Sequence, residues 1–250
     1  MAFTRRDVVT ADGVLDTYLF APGGGAPAPV VIMLADAFGV RDTVLGMAQR
    51  LSRSGYLVAL PNIFYRTDEA TTGSVSTDFS DPSLRAKMGE RFTRATPQAV
   101  MTDLGALLDS LAGEPGVLEG PAGIIGYCIG GRLAFTAATV LPERIAAAAS
   151  IHGGGLATDD PSSPYHQAGQ IQGAVYIAAA RNDNHHTEAD HARLLAALDD
   201  AKVDYEAEVL PALHGFAMPD FAVYDEAAAE RHWERSLALF DRTLRAPAAG

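Results

Sequence analysis

Apolar and polar positions along the chain follow two rhythms. Predominantly apolar runs at Val30 to Leu34, Tyr56 to Leu60, Ala122 to Tyr127, Ile145 to Ile151 and Ala174 to Ala180 predict strands buried on both faces. Val14 to Phe20 and Tyr205 to Leu210 read as further strands. Between them, apolar residues spaced three or four apart predict helices over Thr43 to Ser54, Ser83 to Thr93, Pro97 to Leu111 and Ile129 to Leu141, with a last helix over Asp225 to Leu244. Thr96 caps the helix that starts at Pro97, where proline's missing N–H does no harm. This alternation predicts an α/β fold: a mostly parallel central sheet with helices on both faces. No repeat or composition shift divides the chain, so one domain over residues 1–250 is expected. Ala21 to Pro29 is glycine-rich but lacks the Gly-Lys-Ser/Thr ending of a phosphate loop, and reads as a connection. Thr67 to Pro82 is polar and irregular, a candidate lid or substrate loop.

The only cysteine, Cys128, stands in Gly126-Tyr127-Cys128-Ile129-Gly130-Gly131, between an apolar strand and a helix. That is the pattern of a nucleophile elbow, a strand-to-helix turn so sharp that flanking glycines are needed and the central side chain is presented at the sheet's edge. The helix N-terminus behind it favours thiolate and offers backbone donors to an oxyanion. A lone cysteine is more often a small buried hydrophobe, but the glycines on both sides favour the nucleophile. In this topology the acid and then the base follow along the chain. Asp183, in the turn after Ala174 to Ala180, and His214, in the loop after Tyr205 to Leu210, stand in that order at strand ends. Cys128, His214 and Asp183 are therefore the expected nucleophile, base and orienting acid. The same geometry assigns the oxyanion hole to the N–H of Ile129 and the N–H of Ala37, in the loop after Val30 to Leu34.

His152-Gly153-Gly154-Gly155 imitates an oxyanion loop but follows the nucleophile, so its glycines are read as a tight excursion at a pocket rim, with His152 and Tyr165 as candidate substrate contacts. His185, His186, Glu188, Asp190 and His191 crowd together, and on a helix His186 and Asp190 would share a face. A solvated helix start explains them more simply, and no metal or other cofactor is expected.

Taken together, the elbow, the segment Asp36-Ala37-Phe38-Gly39-Val40, the Asp183 turn and His214-Gly215-Phe216-Ala217 resemble the dienelactone hydrolases, cysteine members of the α/β-hydrolase superfamily, from about Val14 to Leu244. The resemblance implies hydrolysis of an unsaturated lactone bearing a carboxylate, through a Cys-His-Asp triad without metal or cofactor. It implies a thiol-activating or pocket role for Asp36, where the family usually has glutamate, and a substrate-facing role for Phe38. Arg85 is the nearest match to one carboxylate-binding arginine, with Arg91 and Arg94 as rivals. Met218 stands where lactone-cleaving members carry the other, which implies less preference for an anionic substrate. The alternatives are a broader carboxylesterase or thioesterase, or a ligand-binding or thiol-sensing protein on the same fold.

The chain has 250 residues, 48% hydrophobic and 20% charged, enough for a sizeable core. A net charge of −12 argues against nucleic acid and anionic membranes as partners, and the resemblance implies a small ester or lactone as substrate. One cysteine precludes an internal disulfide and suits a cytoplasmic thiol enzyme. Arg5 and Arg6 are followed by Asp7 and Asp12 and not by an apolar stretch, so no signal peptide is expected. Oligomeric state is not legible.

Overall fold

The computed structural model describes residues 2–67 and 81–245. Of the candidate lid, Thr67 to Pro82, only Thr67, Asp81 and Pro82 fall among the described residues. The chain gathers into two compact units, Met1–Glu119 and Gly120–Gly250. Among the described residues no helix is long and apolar enough to cross a membrane.

In the first unit, strands β1 (Thr4–Thr10), β2 (Gly13–Phe20), β3 (Val30–Leu34) and β4 (Leu57–Pro61) lie in the order β1-β2-β4-β3. β1 and β2 form a hairpin in which Thr10 faces Gly13, β2 is antiparallel to β4, and β3 pairs parallel with β4. β3 and β4 are buried at every position, the reason they stand out as unbroken apolar runs. Helix α1 (Asp42–Ser52) buries Val44, Leu45, Met47, Ala48 and Leu51, one stripe of a 3.6-residue period. In α2 (Pro82–Arg94), Asp81 caps the start by accepting the Ser83 N–H, and in α3 (Pro97–Leu111) the Thr96 hydroxyl accepts that of Ala99. Arg66 forks between Asp12 and buried Asp103, 2.7 Å from each, tying the hairpin turn to α3.

The second unit holds β5 (Ala122–Tyr127), β6 (Ile145–Ile151), β7 (Ala174–Ala180) and β8 (Asp204–Leu210), all parallel and in chain order. Side chains alternate across a strand, so β7 shows how its faces are covered. Val175 and Ile177 pack with Phe135 of α4 (Ile129–Val140) and with Leu194 and Leu198 of α5 (Glu188–Asp200), with Tyr205 and Ala207 of β8 joining the same cluster. Tyr176, on the opposite face, hydrogen-bonds Glu208 at 2.6 Å, and Glu208 meets Arg231 of α6 (Glu226–Leu244). Helices thus cover both faces of the unit. Along β8, Asp204, Glu206 and Glu208 point the same way and pair with Arg242, Arg235 and Arg231 of α6. This edge strand is held by these charges on one face and by Tyr205 and Ala207 on the other.

Candidate active site

The turn from β5 into α4 is possible only with its glycines. A Cβ at Gly126 would lie 1.9 Å from the Gly130 carbonyl oxygen, and one at Gly131 would lie 3.0 Å from both Gly153 Cα and the Ile151 carbonyl oxygen. Between them Cys128 sits at φ 56° and ψ −117°, a strained conformation for a residue with a side chain and the expected signature of a nucleophile elbow. Its thiol is partly exposed, and Ile129 occupies the first helical position, where backbone N–H groups have no acceptor within the helix.

Three connections converge on the thiol. His214, in the loop after β8, places Nε2 3.2 Å from Cys128 Sγ and donates Nδ1–H to Asp183 Oδ2 at 2.6 Å. Asp183, in the turn after β7, is 5% exposed and takes the backbone N–H of His185 on Oδ1 at 2.8 Å. Burial alone would lower the His214 pKa, but its bonds to Asp183 and Cys128 outweigh that and raise it to about 10. Burial would likewise raise the Asp183 carboxyl, yet the bond from His214 and the His185 N–H hold it below its ordinary value. Both shifts describe an imidazolium and a carboxylate in contact.

His152, expected as a substrate contact, is buried. It is 1% exposed, at φ 38°, and its Nδ1 accepts the backbone N–H of Cys128 at 3.1 Å. Its ring lies edgewise 5.1 Å from that of His214 and 5.2 Å from that of Phe216, and its pKa is pushed well below the usual value by burial and then by His214. The three glycines after it permit close passages: a Cβ at Gly153 would lie 2.3 Å from Ser150 Oγ, and one at Gly154 2.9 Å from His185 Cβ. Tyr165 is half-buried in a short 3-10 helix (Pro164–Gln170), packed on the apolar cluster beside α4 and α5. Beyond His214, Gly215 turns at φ 93° and Phe216 and Met218 are both fully buried. Met218 is core packing.

Within the first unit, Asp36 forms a buried two-pronged pair with Arg41, Nη1 to Oδ1 at 2.8 Å and Nη2 to Oδ2 at 2.9 Å, and also accepts the Phe38 N–H. Phe38 is buried. Ala37 is held through its carbonyl by the buried Arg91 guanidinium, Nη1 to O at 2.8 Å, while Arg85 is exposed on α2. Arg41 and Arg91 were not singled out for this loop by sequence spacing, since nothing in the sequence says which guanidiniums turn inward.

The polar cluster is a helix start. Thr187 and Asp190 form a reciprocal capping box on α5, so His186 precedes the helix and does not share a helical face with Asp190. His186 Nε2 and His191 Nδ1 are hydrogen-bonded at 3.1 Å, and burial, then His191, push His186 down to about 4. Among the described residues no group of three or more His, Cys, Asp or Glu is arranged to hold a metal ion. His185, which the sequence groups with these ligand-like residues, instead lies with its ring 5.0 Å from that of His214.

Parallel strands, an elbow after one of them, and an acid and a histidine after later ones make up the α/β-hydrolase arrangement. The chain belongs to the dienelactone hydrolase family, whose sequence model matches residues 15–244, and is a hydrolase. A Synechocystis sp. protein named "Putative carboxymethylenebutenolidase" is 28% identical over 233 residues, covering 91% of this chain and 92% of that one. The carboxymethylenebutenolidase of Rhodococcus opacus is 24% identical over 233 residues, covering 91% and 86%. A solved structure from Klebsiella pneumoniae, described as "Putative Dienelactone Hydrolase", shares the fold with a TM-score of 0.82 at 23% identity, covering 97% of this chain and all of that one.

Proposed function

We propose that the chain hydrolyses a lactone or activated carboxylic ester through a thioester on Cys128. The observation that carries this reading is the continuous contact from thiol to imidazole to carboxylate, 3.2 Å and then 2.6 Å, built from three separate strand ends. The thiolate attacks the ester carbonyl, forming a C–S bond while the carbonyl electrons move to oxygen. Ile129 N–H stabilises that oxyanion, and the pattern of the fold draws a second donor from the loop after β3, which carries Ala37. Collapse breaks the C–O bond, and the departing alkoxide or enolate takes the His214 Nε2 proton. In a lactone this group stays tethered to the acyl chain. Water then gives a proton to His214 and attacks the thioester, releasing the carboxylic acid and regenerating the thiolate. Asp183 keeps the imidazole in one tautomer throughout.

The thiolate leaves more readily than an amine, so amides revert and activated esters and lactones go forward. Buried Met218 presents no cation, which supports neutral esters as substrates beside carboxylate-bearing lactones. The family match runs through both units and supports treating them as one catalytic domain. A panel of p-nitrophenyl esters, thioesters and unsaturated lactones, with and without a free carboxylate, tests the reading. Turnover of lactones or activated esters that disappears on alkylation of Cys128 is expected. Turnover that survives stoichiometric alkylation would remove the cysteine from the mechanism, and a preference for thioesters would move the assignment to a thioesterase.

A further inference from the structure

His152 is tied to both ends of the reacting pair. The Cys128 N–H is shared between the Ile151 carbonyl at 3.0 Å and His152 Nδ1 at 3.1 Å, so the imidazole holds the backbone of the strained residue itself. A backbone N–H can only donate, so Nδ1 must be unprotonated and the ring proton must sit on Nε2. That Nε2 is buried and has no hydrogen-bond partner among the described residues. The ring also packs against that of His214, which has the exposed residue His185 as a second imidazole neighbour, 5.0 Å away. His214 thus has one buried and one exposed imidazole as ring neighbours. The groups facing His152 are Tyr127 and Cys128 at the elbow, His214 after β8, Phe216 beside it and His232 of α6.

We infer that His152 is a positioning residue: a buried imidazole, held through Nδ1 by the Cys128 N–H, whose packing fixes the His214 ring and keeps its Nε2 on the thiol and its Nδ1 on Asp183. Its fully buried ring cannot touch substrate, so it acts through His214. Protonation of His152 would place a second cation 5.1 Å from the His214 imidazolium, and its burial, with His214 and His232 beside it, keeps it neutral. The inference rests on the proposed role of His214, and two of its three readouts need no substrate.

His152→Asn is the decisive variant. Asparagine tolerates a left-handed φ and keeps an acceptor near the Nδ1 position, but leaves the His214 ring without its buried neighbour. The expected result is a kcat on an activated ester about tenfold or more lower with KM little changed. The acid limb of the pH profile for iodoacetamide labelling of Cys128 should also move, while the near-ultraviolet circular dichroism stays native. His152→Phe, which restores a ring, should recover the labelling profile in part. An asparagine variant with wild-type kcat and an unmoved labelling profile overturns the inference. Should that variant not fold, nitrogen-15 spectra of the histidines in the wild-type protein decide the matter. His152 should show one Nε2–H tautomer from pH 5 to 9, and a His152 that titrates or carries its proton on Nδ1 refutes the proposal. Loss of turnover in all variants including wild type, with the tautomer as expected, would count against the proposed function and leave the positioning intact.

Discussion

Asp183→Asn removes one charge from the site and almost no volume. Raising His214 from about 6.5 to about 10 corresponds to about 5 kcal/mol of preference for the imidazolium at 1.36 kcal/mol per pH unit. The ring is 23% exposed and the elevation is shared with Cys128, so the carboxylate's part is nearer half, about 2.5 kcal/mol. The amide brings a second loss. Oδ1 can keep the His185 N–H, but the NH2 group then faces His214 Nδ1 and selects the tautomer with its proton on Nε2, which cannot accept from the thiol. The two effects together predict a fall in kcat of about 10² to 10⁴ and a slower, more alkaline onset of Cys128 alkylation. The assay pairs steady-state hydrolysis of an activated ester with iodoacetamide labelling across pH. Stability gives an independent reading. Because the folded His214 value lies above the unfolded one, its stabilisation is complete below about pH 6.5 and is lost as pH rises through about 10. Wild-type melting temperature should therefore fall over that window, and that of Asp183→Asn should fall less. An asparagine variant within about threefold of wild-type kcat, with an unmoved labelling profile, would refute the reasoning.

Three other substitutions bear on separate features. Cys128→Ala should abolish hydrolysis and labelling while keeping the fold, and Cys128→Ser should leave at most a trace; esterase activity in the alanine protein would place the nucleophile elsewhere. Met218→Arg should cost about 3 kcal/mol or more in urea unfolding, because it forces a cation into a fully buried position. A folded variant with selectively improved turnover of a carboxylate-bearing lactone would contradict that burial. Arg41→Ala should cost about 3 to 5 kcal/mol by removing the two-pronged guanidinium from the buried Asp36 carboxylate, and Asp36→Asn on top of it should recover part of the loss. An additive double variant would mean that the pair is not coupled.

β3, β5, β6 and β7 begin and end where the apolar runs do, because a strand buried on both faces has few polar positions inside it, here only Ser150 of β6. The elbow was legible for a related reason: the glycine at 126 answers a backbone contact that admits no side chain, and the one at 131 a backbone contact that leaves a Cβ little room. β1 was missed, since Thr4–Thr10 is mostly polar and exposed and owes its conformation to pairing with β2. α5 was obscured because the polar residues of its capping box also read as ligands. Burial of Met218 and His152 depends on which surfaces fold over them, and their distance in sequence from Cys128 or His214 carries no such information. The same holds for Arg91, inward on α2, and Arg85, outward on the same helix.

The acidic residues of β8 and the arginines of α6 also fix alignment. Asp204, Glu206 and Glu208 meet Arg242, Arg235 and Arg231 in reverse chain order, so strand and helix run past one another like two graduated rules. A slip of β8 by one residue would turn Tyr205 and Ala207 toward the guanidiniums and three carboxylates toward the apolar cluster. A slip by two would leave one arginine facing no acid. The strand that leads directly to His214 is therefore set at a single notch, and the reach of that histidine to Cys128 is gauged by charges on the far face of the sheet.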